Sequence, residues 1–250
     1  MQQPVPTWVI DSRRAARWLA QVTAIMFLIG LGAGLVRVRL GTTLRNFVYR
    51  IDLANDASLQ TWFASATLGL CAVLAVVLGV LERRDGSSSR AAGWFGLGAL
   101  FTAFSLDEVA MFHEWSTNLV TFDTGDLLSY SWVAIGLIVL AALAVGLGPF
   151  VYRLPTPLRR RLVIAAAVYF GGALGLETLN GHIEDERSSS SVAYVLGTAA
   201  EEAAEMAAVV LAFYALLDAL AARAPRMRLA LSSTPPDVGR VPDRSNEAIS

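Results

Sequence analysis

Six long apolar stretches constrain the fold of this chain more than any other feature of its sequence. A helix needs about 20 mostly apolar residues to cross a bilayer, and each stretch has about that length or more. They occupy Trp18–Val36, Thr61–Leu81, Ala91–Phe112, Trp132–Tyr152, Leu162–Asn180 and Val192–Ala222. This pattern predicts an all-α polytopic integral membrane protein, folded as a bundle of six transmembrane helices.

The composition agrees with a membrane location and excludes several classes of protein. Only 16% of the residues are charged, against about 25% in a soluble domain, and the mean hydropathy is +0.52. The net charge of −1 and the short, scattered basic clusters leave no continuous surface for nucleic acid. Cys71 is the only cysteine, so an intrachain disulfide and a cysteine-rich metal site are both excluded.

The apolar stretches divide the chain into three parts. Residues 1–17 are predicted to form a cytoplasmic N-terminal segment, and residues 18–222 a single six-helix transmembrane domain. Residues 223–250 contain four prolines and no apolar period. They are therefore predicted to form a disordered cytoplasmic tail.

Arginine clusters at the ends of the apolar stretches predict the orientation of the bundle. Short cytoplasmic loops collect basic residues, and four clusters alternate along the chain with loops that carry acids. The clusters are Arg13, Arg14 and Arg17; Arg83, Arg84 and Arg90; Arg159, Arg160 and Arg161; and Arg223, Arg226 and Arg228. This alternation predicts that both termini are cytoplasmic, with one exception on the predicted outer side, formed by Arg37, Arg39, Arg45 and Arg50. All basic residues are Arg, a bias that suggests a GC-rich bacterium, so the predicted location is the bacterial cytoplasmic (inner) membrane.

Ionisable residues in or beside the apolar stretches are the strongest functional signal. Each costs about 2.5–3.5 kcal/mol at a helix centre, yet three of the six stretches carry several. They are Asp107, Glu108, His113 and Glu114 in the third, Glu177 and His182 in the fifth, and Glu201, Glu202 and Glu205 in the sixth. A rise of about 1.5 Å per residue puts Asp107, Glu177 and Glu205 at one level, roughly 22–26 Å above the inner boundary. If the three helices pack together, we expect these groups to surround a pocket that opens outward.

The carboxylates in the predicted pocket repel one another. Protonation, an Arg partner or a bound cation can offset this repulsion. No Arg occurs near that depth within the six stretches. We predict a divalent metal, Fe, Mn or Zn, because oxygen-rich ligands with one or two imidazoles suit these ions. The predicted ligands are Asp107, His113, Glu114, Glu177, His182, Glu201 and Glu205, and the candidate catalytic residues are Glu108 and Glu202. A protonated carboxylate network and purely structural polar packing are the alternatives.

Two kinds of function are compatible with this pocket. The first is a metal-dependent enzyme that acts on a lipid or another hydrophobic substrate from the outer leaflet. The second is a transporter or channel in which the acids carry protons or divalent cations, or a structural subunit of a membrane complex. Transport needs a polar route to the cytoplasm, and below the deep acids the three helices offer only Thr102 and Ser105 as polar steps. A dead-end pocket is therefore favoured, with membrane lipids and a hydrophobic substrate as the expected partners.

Several short strings in the acid-bearing helices resemble a known group of proteins. The strings are Ser105-Leu106-Asp107-Glu108 followed by His113-Glu114, Gly175-Leu176-Glu177, and Glu201-Glu202 with Glu205. They are similar to strings in uncharacterised multi-pass membrane proteins of bacteria. The similarity extends from the first helix to the sixth and includes Leu59–Ser65. The resemblance implies a six-helix membrane fold and no particular activity.

Overall fold

The computed structural model describes residues 11–39, 47–55, 57–116 and 132–223. This part of the chain is mostly helical, with short connecting segments, and contains no strand. It includes one π-helical turn, Gly171–Leu176. The helices are α1 (Ser12–Arg37), α2 (Leu59–Arg84), α3 (Ser88–Ala110), α4 (Phe112–Ser116), α5 (Trp132–Tyr152), α6 (Thr156–Phe170), α7 (Glu177–Arg187) and α8 (Val192–Ala221).

Five helical segments in the described residues are long and apolar enough to cross a membrane. They are Ser12–Arg37, Leu59–Arg84, Val133–Tyr152, Thr156–Arg187 and Val192–Ala221. The prediction of an all-α membrane protein is confirmed, but the count of six spanning helices is not. The predicted span that is not among these five is the third, Ala91–Phe112, which corresponds to α3 and whose hydropathy is lowered by Arg90, Asp107 and Glu108.

The helix starts follow from residues that can satisfy free backbone N–H groups. Asp11 accepts hydrogen bonds from the backbone N–H groups of Arg13 and Arg14 at the start of α1. Ser58 and Ser191 do the same for α2 and α8, as expected for N-cap residues. Because α1 begins at Ser12, the described end of the predicted N-terminal segment is helical. Residues 1–10 and the predicted tail from residue 224 onward lie outside the described residues.

The hydrophobic core lies between α2, α3, α6 and α8. Its fully buried members include Leu68, Leu78, Trp94 and Leu216, and Cys71 is buried among them. α8 has neighbours on most sides, since it packs against α1, α2, α6 and α7. α5 packs least, and only 6% of its apolar window is buried inside the protein.

Ion pairs join the helix ends on the arginine-rich side of the bundle. Glu82 at the end of α2 is buried and pairs with Arg223 beyond α8 and, at 3.2 Å, with Nε of Arg90 in α3. Asp218 in α8 pairs with Arg161 of α6 at 2.6 Å and accepts a hydrogen bond from Ser12 of α1 at 3.2 Å. The first, second, third, sixth and eighth helices therefore share one charged layer at this end.

A further ion pair at the opposite end explains part of the exception to the arginine pattern. Arg37, the last residue of α1, pairs with Asp52, which is only 1% exposed. Asp52 also accepts a hydrogen bond from the backbone N–H of Ala54 at 3.1 Å. The sequence predicts Arg37 to be a loop charge on the outer side, whereas in the structure it pairs with Asp52 inside the fold. Phe47 and Tyr49 are exposed beside it, in the segment that leads back to α2.

Candidate functional site

A cavity of about 780 Å³ lies at the end of the bundle opposite the charged layer of Glu82 and Asp218. Helices α2 to α8 contribute to its wall, together with Leu53 and Ala54 from the segment before α2. Seven carboxylic acids and one imidazole line it, and the described lining includes no Arg. These eight residues are Asp107, Glu108, His113, Glu177, Glu184, Glu201, Glu202 and Glu205. We call this space the acidic cavity.

The α3 side of the acidic cavity is formed by a sharp break in the chain. Met111 adopts a left-handed backbone conformation, φ 53° and ψ 41°, which ends α3 at Ala110 and starts the short α4. The predicted stretch Ala91–Phe112 therefore ends as a helix two residues earlier, at Ala110, and the chain changes direction there. The break lets Asp107 accept hydrogen bonds from the backbone N–H of His113 and pair with its ring Nδ1, both at 2.9 Å. His113 is thereby held against Asp107. The side chain of Glu114, another predicted ligand, lies outside the described residues.

The α7 side of the acidic cavity depends on the π-helical turn. Sequence analysis predicted one helix over Leu162–Asn180, but the chain changes to π geometry at Gly171 and then continues as α7 to Arg187. π-helical turns are rare and occur frequently at functional sites. After the turn, Glu177, Asn180 and Glu184 follow each other at i, i+3 and i+7, so they share one face and line the cavity.

The second predicted histidine, His182, does not line the acidic cavity. It lies on an exposed face of α7, and its Nδ1 is 2.8 Å from the carbonyl oxygen of Thr178, one turn earlier. The structure thus separates the two imidazoles that sequence analysis assigned to one metal site. The reason is rotational, because His182 is two residues from both Asn180 and Glu184, which face the cavity.

Three acids of α8 form the opposite wall of the acidic cavity, as their spacing in sequence predicts. Glu201, Glu202 and Glu205 all line the cavity, within one sector of the helix. The π turn approaches this wall closely. A Cβ atom on Gly172 would lie 3.1 Å from Cβ of Ala204 and 3.2 Å from both the Glu201 carbonyl oxygen and Cγ of Glu205.

α7 is fixed to α8 by a buried polar contact near the mouth of the acidic cavity. The side-chain amide of Asn180 lies 2.8 Å from Oγ1 of Thr198. Gly197 makes room for it, since a Cβ there would come within 2.0 Å of the Asn180 amide. Asn180 and Thr198 were not identified from sequence, although the spacing of Asn180 from Glu177 could have indicated a shared face.

A small crevice of about 10 Å³ adjoins the acidic cavity at its deep end. Glu108, Glu202 and Glu205 line both spaces, and Thr23 of α1 and Thr67 of α2 line the crevice alone. Thr23 is 8% exposed, and its hydroxyl has no hydrogen-bond partner among the described residues. A volume of this size is about what a single water needs, so the crevice can hold one small polar species.

The carboxylates do not converge as a metal site requires. Among the described residues, no group of three or more His, Cys, Asp or Glu side chains is arranged to hold a metal ion. Structural and catalytic Zn sites use at least three protein ligands at about 2.0–2.3 Å from the ion. The described acids line a cavity of about 780 Å³. The Fe, Mn or Zn site and the roles of its ligands stay predictions from the sequence.

A second, apolar cavity of about 300 Å³ lies directly below the acidic one. Residues of α2, α3, α5, α6 and α8 line it, and among the described lining residues only Tyr169 has a polar side chain. The two cavities share Phe104, Tyr169 and Phe170. The Phe104 ring stacks on Tyr169 at 5.3 Å and meets Phe170 edge to face at 5.9 Å, measured between ring centroids. This aromatic cluster forms the boundary between the acidic and the apolar space.

Ser105 has a structural contact rather than a place in the acidic cavity. Its hydroxyl donates to the carbonyl oxygen of Ser65 at 2.8 Å, and the Ser65 hydroxyl donates to the carbonyl oxygen of Ser105 at 2.7 Å. The exchange holds α2 against α3. Ser105 therefore does not extend the polar lining of the cavity toward the arginine-rich end.

Comparison with known proteins assigns the chain to a family and gives no activity. No curated protein and no solved structure matches the chain. A family model described as a domain of unknown function, DUF8692, matches residues 16–220, from the first long helix to the last. The resemblance to an uncharacterised family is thereby confirmed, and the chain belongs to the DUF8692 family.

Proposed function

We propose that this protein binds an organic cation in its acidic cavity at one face of the membrane. The observation that carries the proposal is the lining itself, in which seven carboxylic acids from three helical segments surround about 780 Å³. Burying so many acids near one another is costly unless positive charge or protons compensate them. A cavity of that size is within the range of about 300–1,000 Å³ that is typical of small-molecule sites.

The geometry favours an organic cation over the metal predicted from sequence. A metal ion needs ligands that converge on one point, and the described acids do not do so. An ammonium group inside a larger molecule can instead be attracted by several carboxylates at different distances. The rings of Phe104, Tyr169 and Phe170 at the floor add faces that attract a desolvated cation.

We propose the orientation that the arginine clusters predict, with both termini in the cytoplasm of a bacterium and the acidic cavity open to the outside. Support comes from Arg37, whose pairing with Asp52 removes one charge from the outer exception. The cation would then reach the cavity from the outer side.

A second candidate function, proton-coupled binding or transport, is favoured by the crevice beside the cavity. Glu108, Glu202 and Glu205 line this small space together, and carboxylates at close range repel each other unless a proton is shared. Arrival of a cation would then displace a proton. Such exchange is the basic step of proton-coupled transporters, where intramembrane acids form the relay.

Calorimetric titration of the purified protein in non-ionic micelles with tetramethylammonium tests the proposal. Glu184→Gln removes a cavity carboxylate, and Glu186→Gln is its matched control, because Glu186 lies on the same helix but is exposed and away from the cavity. We expect saturable binding that Glu184→Gln weakens by about tenfold, since a carboxylate about 4 Å from a cationic centre attracts it by about 1 kcal/mol in water and about 4 kcal/mol near a protein surface. Glu186→Gln should bind like wild type.

Two outcomes would overturn this proposal or redirect it, and a third would extend it. Equal weakening by both variants would mean nonspecific surface attraction. Tight, stoichiometric binding of Mn²⁺ or Zn²⁺ without tetramethylammonium binding would overturn the proposal and support the metal-dependent enzyme predicted from sequence. Proton release upon binding, measured from the heats in two buffers of different ionisation enthalpy, would support the proton-coupled function in addition to cation binding.

A further inference from the structure

The acidic and the apolar cavity adjoin each other, and this arrangement indicates the shape and polarity of the ligand as well as its charge. The acidic cavity and the apolar cavity share three lining residues, Phe104, Tyr169 and Phe170. A molecule that extends past these rings therefore passes from a carboxylate-lined space into a hydrocarbon-lined one. Few ligands match both environments, and those that do have a cationic end and an apolar end.

One wall of the apolar cavity is a loosely packed helix, through which such a ligand could enter from the bilayer. α5 forms one side of it through residues that include Leu140, Leu147 and Gly148. This helix is the least buried of the five apolar spans, and its other face is exposed, as at Val145, which is 78% exposed. A weakly packed helix between a cavity and the bilayer is a plausible route for a membrane-dissolved molecule.

We infer that the ligand is a cationic amphiphile with one hydrocarbon chain, bound with its ammonium group in the acidic cavity and its chain in the apolar cavity. This inference rests on the proposed function, and it adds the chemical class of the ligand. Charge complementarity fixes the direction of binding, because seven carboxylic acids line one cavity, whereas Tyr169 is the only polar side chain that the described part of the chain contributes to the other.

Gly148 offers a way to block the apolar cavity without disturbing the acidic one. It lines the apolar cavity, and a Cβ atom built on it meets no other atom within 4 Å. A leucine there would extend into the cavity. Gly146 on the same helix also has open space at its Cβ but does not line the cavity. Gly146→Leu is therefore a matched control for the change in residue type, helix propensity and hydrophobicity.

The experiment compares dodecyltrimethylammonium with tetramethylammonium, which has the same charged group without the chain. Binding is measured in non-ionic micelles, with the amphiphile concentration expressed as its mole fraction in the micelle, so that partitioning does not count as affinity. We expect Gly148→Leu to weaken dodecyltrimethylammonium binding by about tenfold or more, a change of about 1.4 kcal/mol. Tetramethylammonium binding should not change, and Gly146→Leu should affect neither probe. Glu184→Gln should weaken both.

The outcomes separate this inference from the proposed function. If Gly148→Leu leaves the affinity for dodecyltrimethylammonium unchanged while Glu184→Gln still weakens both probes, the ligand is a cation without a chain, and the apolar cavity holds ordinary bilayer lipid. If neither probe depends on Glu184, the proposed function itself fails. Gly148→Val, which fills less space, should give an intermediate effect. It keeps the comparison informative if the leucine variant does not fold.

Discussion

At the scale of single residues, Asp107 shows that an acid inside the bundle can orient a neighbouring side chain as well as carry charge. Asp107 accepts a hydrogen bond from the backbone N–H of His113 and pairs with its ring Nδ1, each at 2.9 Å, so it fixes the short helix that follows the break at Met111. Both side chains are about one third exposed, which limits the strength of the pair through solvent screening. Its role is to orient His113 as much as to stabilise the fold.

A double-mutant cycle measures this pair. Asp107→Ala removes both acceptors, and we expect it to lower the free energy of unfolding by about 1 kcal/mol, at the low end for groups that keep access to water. His113→Ala should cost a similar amount, and the double variant should cost clearly less than the sum. Unfolding by denaturant in micelles provides the measurement. Fully additive effects would mean that the two side chains do not interact.

At the scale of helices, the close approach of the π turn to α8 sets the shape of the acidic cavity. Gly172 is the residue that permits it, whereas a Cβ on Gly171 or Gly175 would meet no atom within 4 Å. Gly172→Ala should therefore destabilise the protein by about 1–3 kcal/mol, as overpacking does. Gly171→Ala and Gly175→Ala are matched controls and should be neutral or slightly stabilising, because alanine is the better helix former. Melting temperatures in one detergent compare the three. Equal effects at all three positions would contradict the contact.

The long apolar elements could be predicted from sequence, but the two interruptions that build the site could not. Apolar stretches reveal a spanning helix because the bilayer requires length and low polarity. A single left-handed residue such as Met111 leaves hydrophobic periodicity almost unchanged, and so does a π turn of six apolar residues at Gly171–Leu176. Each break rotates the helix that follows it, so the side chains after the break point in different directions from those expected of a continuous helix. Asp107 precedes the break at Met111, and Glu205 lies in the uninterrupted α8, so both were correctly placed in the pocket. Glu184 and His182 follow the π turn, and for that reason Glu184 was missed and His182 was wrongly assigned to the pocket.

At the scale of the whole molecule, charge differs strongly between the two ends of the bundle. Buried or partly buried ion pairs with arginine, such as Glu82–Arg223 and Asp218–Arg161, tie the helices together at one end. The other end holds the acidic cavity, with the Arg37–Asp52 pair beside it. Arginine-rich ends stay in the cytoplasm during insertion, so the polarity of the fold also predicts its orientation.

Two serines at opposite ends test that orientation with a minimal change. Ser89 lies at the start of α3 on the arginine-rich end, and Ser190 lies before α8 on the other end, and both are exposed. In a Cys71→Ala background, an impermeant thiol reagent applied to intact cells should label Ser190→Cys but not Ser89→Cys. Both should be labelled after the membrane is permeabilised, which confirms that each thiol is reachable. Cys71 itself is fully buried, so its replacement removes background without touching either loop. The reverse labelling pattern would place the acidic cavity on the cytoplasmic side, and the cation would then have to come from inside the cell.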